Sequence, residues 1–410
     1  MPKLTELPVA SSLGDGDMVP IVQDSTTKTT TIAAIRAGAG GGGGTVVGYP
    51  PVRKMFSTLA GSSDDAKLDA FMNAYRGSTY KPTLELDELR AYTFSGQHEL
   101  YTGFAWIGGG LRALDQARGS TPMGQKILIR QPSLRGMFTL PNGTVFGVHM
   151  SGLSFDSTGT GRLVEPNPSC VLWTSTFRDI SWQNGPNLFG SDTVAQPIDA
   201  CTFDGMWNVN NVQSCAFNLA GSDNRFVPTM MLYDSPTALM GPTGCLMKWT
   251  GHSKTTITGI YMTAEQHMGI LFQGGGTGGQ QMMRMHNVEI EGRNVNAPSY
   301  GCLIRVASDI IITQSWLSFA MSNPGSANGG SSANRGVVHI TDGNVVLDGN
   351  YYRPANGVAQ SVPFVFISGG SLTIRNIVGN DTSGNLFTPV VLAATGVTVR
   401  SDDTVTVTRF

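Results

Sequence analysis

The sequence contains few charged residues and few aromatic ones: of its 410 residues, 14% are charged and 8% are aromatic. The formal net charge is -2, from 27 basic and 29 acidic residues, and no basic run occurs. A nucleic-acid partner is therefore not expected, because such surfaces need clustered Lys and Arg. No apolar run approaches the roughly 20 residues of a membrane helix, so the sequence predicts no membrane insertion.

Cysteine and histidine are also scarce, and the sequence contains none of their usual metal-binding motifs. The cysteines are odd in number and form no CxxC pair, which predicts five reduced, buried residues made in a reducing cytoplasm. Six scattered histidines give no HxH or HExxH, and no GxSxG occurs, so neither a metal nor a cofactor is expected. The N-terminus has no apolar segment of the kind found in secretory signals. The cysteines are Cys170, Cys201, Cys215, Cys245 and Cys302.

Glycine is abundant, with 52 residues, and Asn, Ser and Thr are frequent. This composition favours turns and short strands over amphipathic helices, as in elongated β-solenoids, whose repeated turns use small polar residues. We divide the chain by composition into an N-terminal arm (residues 1–37), a Gly-rich linker (38–50), a helix-containing head (51–125) and a body (126–410).

The arm contains an apolar stretch and a Thr-rich stretch, Met18–Val22 and Lys28–Thr31. Together they predict a small hairpin, followed by a short helix from Ile32. So short a segment rarely buries enough surface to fold alone, and it should pack on something else. The glycines of residues 38–44 predict a flexible tether. A phosphate-binding loop is excluded, because no GK[ST] follows the glycines.

The order of short motifs in the arm, LTELP, ASSL, DGDMVPIV and TTKTTTIAAI, resembles the N-terminal docking segment of bacteriophage tail fibres and tailspikes. The resemblance implies a virion protein, with the tail favoured over the capsid, that is made in the host cytoplasm. It also implies a homotrimer attached to other virion proteins through this arm. The expected docking residues are Leu4, Leu7, Pro8, Leu13, Asp17, Val19, Ile21, Ile32 and Ile35.

The head contains one clear helix signal, from Ser63 to Tyr75. Ser62 or Ser63 can serve as N-cap, acidic residues follow in the first turn, and Gly77 ends the segment. Leu68, Phe71, Met72 and Tyr75 share one stripe at helical spacing. We expect this helix to cover the open end of a solenoid.

In the body, short apolar stretches recur roughly every 25 to 30 residues, the length of a solenoid coil. They resemble the pectate-lyase-like, single-stranded right-handed parallel β-helix. The prediction is thus an all-β fold of this type, with a β-sandwich or another all-β body as alternatives. The tail, Asp402–Phe410, should pair on the last coil or across subunits. The stretches include Ile127–Ile129, Phe177–Trp182, Val212–Phe217, Thr256–Met262, Val288–Ile290, Ile310–Ile312 and Ser371–Ile374.

The carboxylates Glu289 and Glu291 flank Ile290 and should point outward on one face of a strand. With His286 and Arg293 nearby, they form the best catalytic candidates, since glycan cleavage needs paired carboxylates, or a base with a cation. The alternative is an ordinary solvated face of paired charges.

Aromatic residues offer a second kind of site. Most tryptophans lie within apolar stretches and are expected in the core. Tyr351 and Tyr352 follow an Asp-Gly-Asn turn and are expected to be exposed and to bind glycan. Residues 322–335 are rich in Gly, Ser and Asn and should form a surface loop.

Three functions remain open from the sequence. The first is a structural appendage of a tailed phage that contacts host surface glycan. The second is a glycan depolymerase, a hydrolase or lyase, on the same β-helix. The third is a non-catalytic fibre that decorates the capsid. The sequence leaves catalysis undecided and favours a protein that is not an enzyme.

Overall fold

The computed structural model describes residues 18–23, 26–31, 53–108, 126–131, 135–157, 161–234, 245–264, 268–274, 282–292, 302–319, 336–354 and 363–410. It divides the chain into two compact units, Met1–Val52 and Arg53–Phe410. In the smaller unit, the described backbone forms the two strands β1 (Met18–Gln23) and β2 (Thr26–Thr31).

These two strands pair antiparallel, with Met18 opposite Thr31 and Gln23 opposite Thr26. The predicted hairpin is therefore confirmed. Val19 and Ile21 lie on β1. The linker and the other expected docking residues lie outside the described residues, namely Leu4, Leu7, Pro8, Leu13, Asp17, Ile32 and Ile35.

The larger unit begins with a head of short elements. Among its described residues lie an α-helix, α1 (Asp64–Tyr75), and a 3-10 turn (Phe56–Thr58). The strands of the head are β3 (Arg53–Met55), β4 (Thr83–Glu85), β5 (Ala91–Phe94), β6 (His98–Glu99) and β7 (Ala105–Ile107). The body begins with β8 (Lys126–Ile129), β9 (Gly136–Thr139), β10 (Gly143–Phe146), β11 (His149–Asp156) and β12 (Arg162–Val164).

The body continues with short strands through to the last residues. They are β13 (Cys170–Trp173), β14 (Thr176–Gln183), β15 (Gln196–Asp199), β16 (Thr202–Asp204), β17 (Met206–Val212), β18 (Phe217–Ser222), β19 (Arg225–Phe226), β20 (Thr229–Asp234), β21 (Cys245–Ser253), β22 (Thr256–Thr258), β23 (Ile260–Ala264), β24 (Met268–Gln273), β25 (Met283–His286), β26 (Glu289–Gly292), β27 (Ile304–Ala307), β28 (Ile310–Thr313), β29 (Trp316–Phe319), β30 (Val338–Asp342), β31 (Asn344–Asp348), β32 (Tyr351–Pro354), β33 (Val365–Ile367), β34 (Ser371–Arg375), β35 (Val378–Asn380), β36 (Leu386–Phe387), β37 (Val390–Ala393), β38 (Thr398–Ser401) and β39 (Thr406–Arg409).

These strands stack as three parallel columns, which is the architecture of a β-helix. A representative coil runs through β22, β23 and β24, and each of these strands pairs in parallel with its counterpart in the next coil, β25, β26 and β27. We call these the first, second and third columns. The third is an 11-stranded sheet from β10 to β39. The predicted parallel β-helix is thus confirmed, and the alternative of a β-sandwich is wrong.

The corner between the first and second columns requires a left-handed backbone. Asn287, Gln314 and Asn376 have φ of 51°, 47° and 54°, and Gly259 and Gly349 occupy the same corner with φ of 75° and 65°. Gly and Asn tolerate this region best. The Asn and Gly that follow many apolar stretches in the sequence are therefore the corner residues of successive coils.

Helix α1 follows the expected design. The Ser63 side chain accepts a hydrogen bond from the Ala66 N–H as N-cap, and Leu68, Phe71 and Met72 are buried. His98, fully buried on β6, holds the helix to the first coils: its Nδ1 lies 2.8 Å from Asp69 and its Nε2 3.0 Å from Asp65. Among the described residues, no helix is long and apolar enough to cross a membrane.

The apolar stretch Val212–Phe217 is not one continuous strand, because Val212 ends β17, Phe217 begins β18, and residues 213–216 form the corner between them. Its residues are apolar because they line a buried corner, where Cys215 packs with Cys245, Met268 and Cys302 from the next three coils. All five cysteines are free thiols and are buried, and their burial agrees with the prediction. Burial also raises the pKa of the Cys201 thiol to about 11.

The C-terminal strand pairs within the chain. β39 lies parallel to β37, with Thr406 beside Val390 and Arg409 beside Ala393. Of the two expected pairings, the structure therefore has the one on the last coil.

Candidate functional site

One outward row on the second column carries an unusual set of side chains. Tyr261, Glu289, Trp316 and Tyr351 occupy equivalent positions on β23, β26, β29 and β32, each in register with the next. The residue that follows each of them points inward and is buried: Met262, Ile290, Leu317 and Tyr352. The alternation of strand side chains thus places these four groups together on the outer face.

Two aromatic members of the row, Trp316 and Tyr351, form an outward-facing strip. The rings of Trp316 and Tyr351 stack with centroids 5.5 Å apart and planes 19° apart. The Arg353 guanidinium lies 5.6 Å from the Trp316 ring centroid, a cation–π distance. Tyr351 is 40% exposed. Such a strip offers the apolar surface on which the C–H face of a sugar can pack.

The row borders a groove of about 440 Å³. Its lining includes the corner residues Asn287 and Gln314 together with Tyr261, Glu289 and Trp316. Amide, carboxylate and aromatic groups therefore face one space, the combination expected of a site for a polar ligand with apolar faces.

Glu289 and Glu291 lie on the same outward face of β26, as predicted, with Ile290 buried between them. The Tyr261 hydroxyl donates a 2.7 Å hydrogen bond to Glu291 Oε2. Burial, and then the nearby charge of Glu291, raises the pKa of Glu289. The two carboxylates thus differ in environment: Glu291 accepts a hydrogen bond from Tyr261, whereas the pKa of Glu289 is raised.

His286 lies on a different strand from Glu289 and Glu291. His286 ends β25, on the other side of the Asn287 corner, and its Nδ1 lies 2.9 Å from Thr313 Oγ1 in the next coil. Arg293 lies outside the described residues. The structure therefore brings together Glu289 and Glu291 but places His286 on a neighbouring strand of the first column.

The expected exposure of the Tyr351–Tyr352 pair is correct only for Tyr351. Tyr352 is fully buried and stacks on Phe364, with ring centroids 5.2 Å apart. The physical reason is that consecutive residues of a strand point to opposite faces. Tyr352 therefore belongs to the core, and a glycan cannot reach its ring.

Two tryptophans that the sequence predicts in the core lie on the outer face of the β-helix. Trp182, Trp207 and Trp249 are buried as predicted, but Trp316 points outward and Trp173 is 42% exposed. In Trp316-Leu317-Ser318, alternation alone would have indicated that Trp316 and Leu317 face opposite ways. The predicted loop at 322–335 lies outside the described residues.

Buried hydrogen bonds beneath the groove fix the strands that carry Trp316 and Glu289. Asn350, fully buried, accepts a 3.0 Å hydrogen bond from the Ser315 N–H and donates one of 2.9 Å to the Ile312 carbonyl. The Ser315 hydroxyl in turn accepts from the Val288 N–H at 3.3 Å. These bonds fix the start of β29 and β26, and hence Trp316 and Glu289. Among the described residues, no three His, Cys, Asp or Glu side chains are grouped to hold a metal ion.

No family model matches the sequence, and no curated protein matches it. Among solved structures, the chain is similar to DFA-IIIase from Arthrobacter chlorophenolicus A6 in complex with GF2. The match has 14% identity, covers 87% of this chain and 96% of that chain, and has a TM-score of 0.60. At this identity the likeness extends to the fold, and it agrees with the parallel β-helix described above.

Two phage proteins also match in structure. The tailspike of Acinetobacter phage vB_ApiP_P1 has 14% identity, with 86% of this chain and 59% of that chain covered and a TM-score of 0.48. ORF18 of Geobacillus virus E2 has 10% identity, with 96% and 67% covered and a TM-score of 0.47. The chain has the fold of a parallel β-helix.

Proposed function

We propose that this protein is a tailspike- or fibre-like appendage of a tailed-phage virion whose β-helix binds a host surface glycan. The virion role is supported by the order of motifs in residues 1–37, which resembles the docking segment of such appendages. The glycan role is supported by one observation above all: the outward row of Tyr261, Glu289, Trp316 and Tyr351 beside a groove.

The row suits a sugar chain for a physical reason. The stacked rings of Trp316 and Tyr351 supply an apolar strip, and Glu289, Asn287 and Gln314 supply hydrogen-bonding groups around it. A pyranose has the matching surface, with C–H groups on its faces and hydroxyls at its edges. A rigid scaffold of stacked strands holds these groups in place before binding, which reduces the entropy lost in the complex.

The test is binding to a panel of bacterial envelope polysaccharides, measured by biolayer interferometry with the full chain. We expect Trp316→Ala to weaken binding about tenfold to hundredfold, since loss of a well-buried aromatic contact costs roughly 1.5–3 kcal/mol. Trp173→Ala is the matched control, because Trp173 is an exposed tryptophan on the third column. Equal affinities for the two variants, or no binding by the wild type, would contradict the proposed groove.

Catalysis at the same groove is a second candidate, favoured by the contrast between Glu289 and Glu291. Residues two apart on a strand are separated by roughly 6.5–7 Å, which falls at the short end of the spacing of inverting glycosidases. In this mechanism Glu289, whose pKa is raised, donates a proton to the leaving oxygen. Glu291, oriented by the Tyr261 hydroxyl, activates the attacking water.

If the groove hydrolyses glycan, Glu289→Gln should reduce the release of reducing ends about 10²- to 10⁴-fold, the usual contribution of a general acid. Because the acid form of Glu289 is required and its pKa is raised, wild-type activity should fall as the pH rises through that pKa. Glu85→Gln, on the outer face of β4, is the control. A binding protein that releases no reducing ends or unsaturated sugars across the panel would exclude catalysis and leave the binding role standing.

A further inference from the structure

A second groove lies on the same coils as the aromatic row, at the beginning of the first-column strands. It has a volume of about 430 Å³ and is lined by Lys254, Thr256, Arg284 and Ile311. Thr256, Arg284 and Ile311 occupy one outward row, in register across β22, β25 and β28. Arg225 on β19 precedes Thr256 in the same row. Strand stacking thus places Arg225 and Arg284 in one row, and Lys254, between β21 and β22, adds a third cation beside the groove.

The positive charge of this groove is weakly compensated. Lys254 has one acidic neighbour, Asp223, at 3.9 Å, and both side chains are about half exposed. Within the part of the chain that the structure describes, Arg284 and Arg225 form no ion pair. The nearby Asp309 carboxylate already accepts two hydrogen bonds from Asn344, at 2.7 and 3.0 Å. Lys254 and Arg284 line the groove together, and an oxyanion bound there could accept hydrogen bonds from both side chains.

The second groove and the row of Tyr261, Glu289, Trp316 and Tyr351 lie on the same coils, on either side of the corner between the first and second columns. Arg284 begins the outward face of β25, and Glu289 begins β26 just after the Asn287 corner. Arg284 and Asn287 are three residues apart, roughly 10 Å along an extended strand. A short oligosaccharide that lies across the coil could therefore contact Trp316 and Glu289 with one unit and Arg284 with another.

We propose that Lys254 and Arg284 form an anion subsite of the glycan groove, and that the glycan recognised is acidic. This inference rests on the proposed glycan binding and names its substrate class. The bound group is an oxyanion carried by the sugar chain, either the carboxylate of a uronic acid or a phosphate diester. A guanidinium can bind either group through two parallel hydrogen bonds, while the Lys254 ammonium adds a point charge.

The test uses the full chain and an acidic envelope polysaccharide in three forms: native, carboxyl-reduced and dephosphorylated. We expect Arg284→Gln to weaken binding of the native polymer about five- to tenfold, as for loss of a charge-assisted contact. If the wild type and Arg284→Gln bind one treated form with equal affinity, the group removed by that treatment is the bound anion. Equality after carboxyl reduction identifies a carboxylate, and equality after dephosphorylation identifies a phosphate. Raising the salt concentration should weaken wild-type binding more than binding by the variant.

Two controls make the result specific. Arg400→Gln removes an exposed arginine from a later coil of the same row, outside the groove, and should leave the affinity unchanged. Arg284→Lys keeps the charge and should retain part of the affinity. If the wild type binds all three polymer forms equally and Arg284→Gln behaves as Arg400→Gln, the anion subsite is wrong while the groove remains. A wild type that binds none of the forms overturns the groove and the subsite with it.

Discussion

Replacing Asn350 with alanine is expected to lower the free energy of unfolding by about 2–4 kcal/mol, because two buried backbone groups would lose their partners. The Asn350 amide is fully buried and bridges the Ser315 N–H and the Ile312 carbonyl. Water cannot replace either bond without entering the core. Urea unfolding, followed by tryptophan fluorescence, measures the change.

Asn344 offers a matched control for this prediction. Its side chain also makes one donated and one accepted hydrogen bond, to Asp309 at 3.0 Å and from Ser371 at 2.7 Å, but it is exposed. Because solvent can take over both bonds, Asn344→Ala should cost less than about 1 kcal/mol. Equal losses for the two variants would show that burial of the Asn350 amide is not what stabilises the corner.

Deleting residues 1–37 is expected to abolish incorporation of the protein into phage particles while leaving the body folded. The reason is that the motifs resembling a docking segment all lie in these residues, whereas the β-helix is a compact unit of its own, Arg53–Phe410. Purified particles would be assayed by immunoblot, and the soluble truncated protein by circular dichroism and size-exclusion chromatography with light scattering.

A deletion of residues 40–44 is the control, because it shortens the glycine run and keeps every docking motif. Gly-rich tethers tolerate changes in length, so this variant should enter particles normally. A truncated protein that co-purifies with particles at the wild-type level would refute docking through the arm. A cryo-EM map of the wild-type particle would then locate the appendage, on tail or capsid, and show its symmetry.

Several features of the fold followed from local patterns. The helix from Ser63 to Tyr75 carries its own cap, charges and apolar stripe, and the hairpin of β1 and β2 is set by two adjacent strand-forming stretches. The outward direction of Glu289 and Glu291 follows from strand alternation around Ile290. These features depend on neighbours close in sequence, so a single sequence suffices to predict them.

Other assignments required knowledge of distant neighbours. The stretch Val212–Phe217 is apolar, yet its middle residues, 213–216, form a corner, because the apolar contacts of Cys215 come from Cys245 and residues in later coils. Trp316 lies in an apolar stretch, and its exposure depends on which face of β29 packs inward. The repeat length also varies, with partners 27 residues apart at His286 and Thr313 but 35 apart at Asp309 and Asn344.

The sequence by itself determined that this protein is a chain of short strands separated by Gly and Asn corners, with a helix at Asp64–Tyr75 and an arm that resembles a phage docking segment. Only the tertiary structure decided which side chains meet. Tyr261, Glu289, Trp316 and Tyr351 form one row because their strands stack in register, and the same stacking groups Arg225 with Arg284. The physical reason is that coil lengths vary, so spacing along the chain does not fix the register between coils, whereas inter-strand hydrogen bonds and burial of the inward row do.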